Sequence, residues 1–320
     1  MNDYGWKHAG LLQAGCCVLM GILLVTVPTA QAALIVDDSW ADGGRDNGAD
    51  PLDTNWWTSS SPSGIEVSVG SMGLVTGSAG RGIHGIFPTQ TLSNVGDSLK
   101  ATYTFRTPST VGSAGTAGFR VGLFDTLGRA GLDANITSSS SVFEPLYGYF
   151  GAGTAALPGY MLDMDVGTGS EDFSFREHST VATATTPTGR LMGTTTGFAS
   201  LSPTGPDAAF AFAANTTYTG SFTITRSSAT EVQLAASLGA ASHTITDVFD
   251  SSSIGMLAFW VNSNLFGTSS TPGDPNNGID FSNIKIEYTP AVPEAGSFTM
   301  ALLGAIGALA ARRRPAVVRS

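Results

Sequence analysis

Ile279-Asp280-Phe281-Ser282-Asn283-Ile284-Lys285-Ile286-Glu287-Tyr288 reads as a β-strand. β-branched and aromatic residues dominate it. From Phe281 onward apolar and polar residues alternate, the two-residue period of a strand with one face in a core and the other in water. The same period recurs upstream. Leu99–Phe105 puts Leu99, Ala101, Tyr103 and Phe105 on one face. Tyr160–Val166 puts Met161, Asp163 and Asp165 on one face and Leu162, Met164 and Val166 on the other, and Phe173–Arg176 can pair back onto it. Tyr218–Ser227 and Glu231–Leu238 read as a hairpin that His243–Val248 continues, and Phe119–Phe124 is a further strand. Met256–Val261 is apolar on both faces, which marks a central strand. No window sustains a capped helical period. Many short strands between Gly, Pro, Ser and Asn turns predict an all-β fold, a single β-sandwich of the jelly-roll type. Leu34–Ser39 is the predicted first strand and is expected to lie beside the last.

Composition fits a turn-rich exported β protein. Charged residues make up only 12% of the chain, and glycine numbers 40. Residues 33–289 carry 10 basic and 23 acidic residues, a net charge of −13. Such a surface excludes nucleic acid as a partner and disfavours anionic membranes.

The two ends differ from this middle. Residues 1–32 have the parts of a signal peptide. Lys7 lies in a short basic start, Leu11–Val27 is apolar apart from Gln13, Pro28 breaks the helix, and Ala30-Gln31-Ala32 supplies the small residues that signal peptidase needs before Ala33. Both cysteines, Cys16 and Cys17, fall inside it, so the mature chain has no disulfide and no thiolate chemistry. At the other end, residues 290–320 hold Val292-Pro293-Glu294, an apolar run and Arg312-Arg313-Arg314. Residues 295–311 span about 25 Å as a helix at ~1.5 Å per residue, a short transmembrane anchor whose arginines stay cytoplasmic.

This tail of box, run and basic cluster resembles the PEP-CTERM sorting signal of Gram-negative bacteria, with Ala295 where the family box has its second proline. The resemblance implies an exported protein held transiently at the inner membrane. An exosortase-like membrane protease then processes it for the cell surface or extracellular matrix, in association with exopolysaccharide. A second resemblance covers the ends of the middle region. Asp38-Ser39-Trp40-Ala41-Asp42-Gly43-Gly44-Arg45, Pro51–Trp57 and the closing strand look like the ends of concanavalin-like and laminin-G-like jelly rolls. Such modules include glycan binders, glycoside hydrolases and plain structural domains.

Candidate chemistry is sparse. Asp163 and Asp165, two apart on a strand, share a face at the spacing a retaining glycosidase needs. Jelly-roll glucanases carry Glu-x-Asp-x-x-Glu, and neither glutamate is present here, so no catalytic residue is assigned. Asp42, Asp46, Asp50 and Asp53 form an oxygen-rich loop that could take calcium. Gly44 and Asn47 depart from the EF-hand pattern. His84, His178 and His243 share no zinc spacing, and no Gly-x-Ser-x-Gly elbow occurs. Trp56 and Trp57 point to opposite faces if they lie on a strand, so one can be core while the other offers a flat platform for a sugar ring. Trp260 reads as core. These features leave three functions: a structural or glycan-binding matrix protein, a polysaccharide-acting glycosidase or lyase, and a calcium-dependent adhesin.

Overall fold

The last strand lies at the centre of the first of two antiparallel sheets in a computed structural model of the chain. The structure describes residues 31–46, 50–58, 62–76, 80–112, 118–128, 130–131, 133, 157–164, 173–178, 192–193, 198–201, 212–248, 251–262, 265–267, 269, 271 and 273–292. Among them the strands are β1 (Ala33–Asp38), β2 (Asn55–Thr58), β3 (Ile65–Ser68), β4 (Ser71–Val75), β5 (Arg81–Thr91), β6 (Ser98–Arg106), β7 (Phe119–Phe124) and β8 (Gly159–Met164). They continue with β9 (Phe173–His178), β10 (Ala199–Ser200), β11 (Thr217–Arg226), β12 (Glu231–Leu238), β13 (Ala241–Val248), β14 (Ser253–Val261) and β15 (Gly278–Thr289). A single 3-10 turn at Pro62–Gly64 is the one helical element among the described residues.

The first sheet runs β13-β12-β11-β6-β15-β4-β3. The free edge of β15 is shared: β4 pairs with Gly278–Phe281 and β1 with Ile284–Tyr288. First and last strands therefore lie side by side, as expected. The second sheet runs β10-β9-β8-β7-β14-β5-β2, with β8 and β9 paired as the alternation implied.

The alternation in β15 is not continuous. Its register on β6 shifts between Phe281 and Asn283. This bulge returns the pattern to the same face, so Ile279 and Phe281 before it and Ile284 and Ile286 after it are all buried. An unbroken strand would have turned one pair outward.

The inner faces meet in an aromatic core. Phe259 of β14 lies 4.7 Å from Phe281 of β15, and Phe119 of β7 lies 5.1 Å from Phe105 of β6, ring centre to ring centre. Tilted and edge-on pairs at these distances add about 0.5–1.5 kcal/mol each beyond the area they bury. Phe175 on Phe222 extends the contact between sheets toward β9 and β11.

The outward faces differ. The first sheet shows water short polar groups, with Thr104 bonded to Thr219 and Ser221 to Ser237 across strands. In the second, β7 and β8 are buried along their whole length. Their outer side packs in a separate cluster with Met192, Leu157 and Phe198 from segments outside the strands. This outer face is thus buried by segments outside the sheets and not by the core between them.

Candidate functional site

Strand register sets out this outer face in three rows across β2, β5, β14, β7, β8 and β9. The first is Asn55, Ile86, Met256, Phe124, Gly159 and His178. The second is Trp57, His84, Ala258, Gly122, Met161 and Arg176. The third, beginning at β5, is Gly82, Trp260, Arg120, Asp163 and Ser174. Gly82 is required there, since a Cβ would stand 2.9 Å from both the Phe259 carbonyl oxygen and the Trp260 ring.

The charged centre is one carboxylate between two guanidiniums. Arg120 Nε donates to Asp163 Oδ1 at 2.7 Å and Arg176 Nε to Asp163 Oδ2 at 2.8 Å. Arg120 Nη1 donates in turn to the carbonyl of Met192. Met192 is itself held at φ 59, a left-handed conformation that costs a non-glycine residue energy. Arg120 sits in an otherwise apolar strand, and an interrupted apolar run was its sequence signal; Arg176 lies in the mixed strand Phe173–His178, which carried none. Their convergence on Asp163 was not readable, because it depends on the order β9-β8-β7.

The edge of the face is aromatic. Trp57 stacks on His84, with ring centres 5.4 Å apart at 22°. The Gly131 backbone packs against the six-membered ring of the Trp57 indole, where a Cβ would fall onto it. His84 is fully enclosed, and burial pushes its imidazole down to about 3, so it is neutral at working pH. Asp133 closes this end. Both of its oxygens accept from Arg45, at 3.0 and 2.6 Å, and Oδ1 also accepts from the Thr58 N–H.

The tryptophan pair divides as its alternation allowed. Trp56 is the core residue and cannot present a face to a sugar: it is buried, and its Nε1 donates to Asp38 Oδ2 at 2.7 Å. Trp57 is half-buried on the outer side. Trp260 is buried too, but in the outer cluster and not between the sheets.

Asp163 does not act as half of a glycosidase pair here. Both of its oxygens are taken by arginines, and Asp165 lies outside the described residues. In the acidic loop Asp42 accepts from the Gly44 N–H and Asp50 from the Leu52 N–H, local turns that fold the loop on itself. Asp46 is exposed. Asp53 is pushed up to about 6 by burial, then by the charges of Asp38, Asp50, Asp42 and Asp37. Among the described residues no three His, Cys, Asp or Glu side chains are gathered to hold a metal ion. The histidines are scattered: His178 Nδ1 is 2.8 Å from the Leu157 carbonyl, and His243 stacks on Phe175.

Of the export signals, Ala32 and Ala33 are exposed at the start of β1 and Val292 is exposed after β15. Ala30, Pro293, Glu294, Arg312, Arg313 and Arg314 lie outside the described residues. No helix among the described residues is long and apolar enough to cross a membrane.

The protein is thus an antiparallel two-sheet β-sandwich with a charged and aromatic outer face on one sheet. No protein-family model matches the chain, and no curated protein matches it. Among solved structures it is similar to porphyranase B of Zobellia galactanivorans (TM-score 0.45, 11% identity, 82% of this chain and 95% of that one). It is also similar to lectin I of Ulex europaeus (TM-score 0.43, 8% identity, 82% and 99%). A third similar structure is the endo-1,3-β-glucanase of Streptomyces sioyaensis (TM-score 0.41, 12% identity, 82% and 99%).

Proposed function

We propose that the protein is exported, sorted through its C-terminal box and arginine cluster by an exosortase-like protease, and retained at the cell surface or in the matrix. There it binds polysaccharide at the margins of the outer face of the β10–β2 sheet, at Trp57 on one side and Ser200 on the other, beyond the segments that bury β7 and β8. The observation that carries the binding reading is Trp57. Its neighbour Trp56 is spent on the core, while Trp57 is turned to the opposite face and left half-buried at the sheet edge. There its indole stacks on a neutral imidazole, at the end of the face that the Arg45–Asp133 pair closes. The part of the indole left in water beside His84 and Gly131 suits contact with the C–H groups of a sugar ring. Binding without cleavage is favoured over a glycosidase or lyase because Asp163 and Asp133, the carboxylates at this face, already accept from arginines.

The test is affinity electrophoresis of the full chain through gels containing matrix polysaccharides. Retardation is expected, and Trp57→Ala should weaken it about 10- to 30-fold, the loss typical of a buried aromatic anchor, while leaving the melting temperature within a few degrees. A wild-type chain that no polysaccharide retards would end the proposal.

A further inference from the structure

The outer face is unevenly charged. Asp163 supplies one negative charge, and Arg120 and Arg176 face it with two positive ones. His178, in the same strand and on the same face as Arg176, does not alter the sum: burial lowers its imidazole, which is therefore neutral at pH 7. One positive charge is left over, and its location is specific. The Arg120 and Asp163 side chains are 8% and 4% exposed, whereas Arg176 keeps 23% of its side chain in water. Arg176 uses only Nε on Asp163, and among the described residues its two Nη groups meet no acceptor. These remaining N–H groups form the flat fork that grips a carboxylate or sulfate with two parallel bonds. Register pairs Arg176 with Ser200 of β10, which turns the exposed Ser200 side chain to the same face.

A buried ion triad is a poor way to gain stability, since an apolar replacement of the same volume often does as well or better. Nor can the whole surface attract a polyanion, because residues 33–289 carry a net charge of −13. A local cation with a hydroxyl beside it can still hold one anionic group of a polymer. We propose that Arg176, with the Ser200 hydroxyl beside it, holds the carboxylate or sulfate of an acidic sugar unit, so that the ligand of the outer face is an acidic polysaccharide. This rests on the outer-face reading above and names the ligand class that it left open.

The full chain is run through gels of polygalacturonate, a sulfated galactan and an uncharged galactan. Stronger retardation by a charged gel is expected, the polyuronate arm reporting a carboxylate ligand and the galactan arm a sulfate. Arg176→Gln should weaken that retardation at least 10-fold. Arg176→Lys, which keeps the charge but loses the fork, should fall between, with both melting temperatures near wild type. If Arg176→Gln fails to fold, a folded Arg176→Lys with weakened binding still supports the inference. Unchanged binding in whichever variant folds overturns it. Equal retention by the uncharged galactan, still dependent on Trp57, overturns the acidic-sugar inference alone; no retention by any gel overturns it together with the binding reading.

Discussion

Asp53 feels the charge of four other carboxylates, and that makes it a pH-sensitive residue. Half-burial comes first among the causes that lift it to about 6, followed by repulsion from Asp38, Asp50, Asp42 and Asp37. In the unfolded chain it titrates near 4. Between about pH 4 and 6 the folded chain therefore holds more protons than the unfolded one, and stability falls as pH rises through that window. Asp53→Asn removes the penalty. The variant should melt above wild type at pH 7 and match it below pH 4, as read by paired thermal melts; a constant difference across the range would refute the assignment. This behaviour was not legible in the sequence, which showed a run of acids but not which of them folds inward. The tryptophan pair was legible, because strand alternation alone sends neighbours to opposite faces. The arginines that enclose Asp163 were not, since Arg120 is 43 residues away and Arg176 is 13 residues away in the chain.

At the level of strands, alternation found β6, β7, β11, β12 and β15 to within a residue or two. It missed β5, the longest strand of the second sheet, for a physical reason. Gly82, Gly85 and Pro88 read as breakers. Gly82 and Gly85 make room for the rings of Trp260 and Trp56, and Pro88 sits where the ladder to β14 slips between Ile254 and Met256, so no ladder bond is asked of it. The start of β15 is another place where local chemistry serves packing. Gly278 adopts φ 153, and a Cβ there would fall onto the Leu74 carbonyl of β4. Because backbone and not a side chain blocks the site, relaxation means breaking the β4 pairing. Gly278→Ala should cost about 3 kcal/mol, roughly 6–12 °C in melting temperature for a domain of this size. A loss under about 2 °C would show that β4 is not clamped there.

For the molecule as a whole, the question is where the fold ends and the address begins. Beyond β15 the chain makes one further described anchor: the Ala291 N–H donates to Asp97 Oδ1 at 2.7 Å. Burial alone would raise the Asp97 carboxyl, but the N–H groups of Ala291 and Asn94, among other donors, hold it below the usual carboxylate range. A chain of residues 33–292 keeps this anchor and both partners of the β1–β15 pair. It should melt cooperatively within about 2 °C of a chain of residues 33–320 if the apolar run and its arginines act only in sorting. A chain ending at Thr289 loses the Ala291 bond, a charge-assisted one, and should lose about 1.5 kcal/mol, or roughly 3–6 °C. The sign of the pH dependence identifies the cause. A carboxylate with a depressed folded value stabilises above its unfolded value and stops doing so as pH falls through the folded one. The gap between the two truncated chains should therefore be full at pH 7 and close at strongly acid pH. If instead 33–292 melts well below a chain of residues 33–320, residues 293–320 belong to the fold, and a tail that holds the domain together could not be cut away without unfolding the protein it delivers.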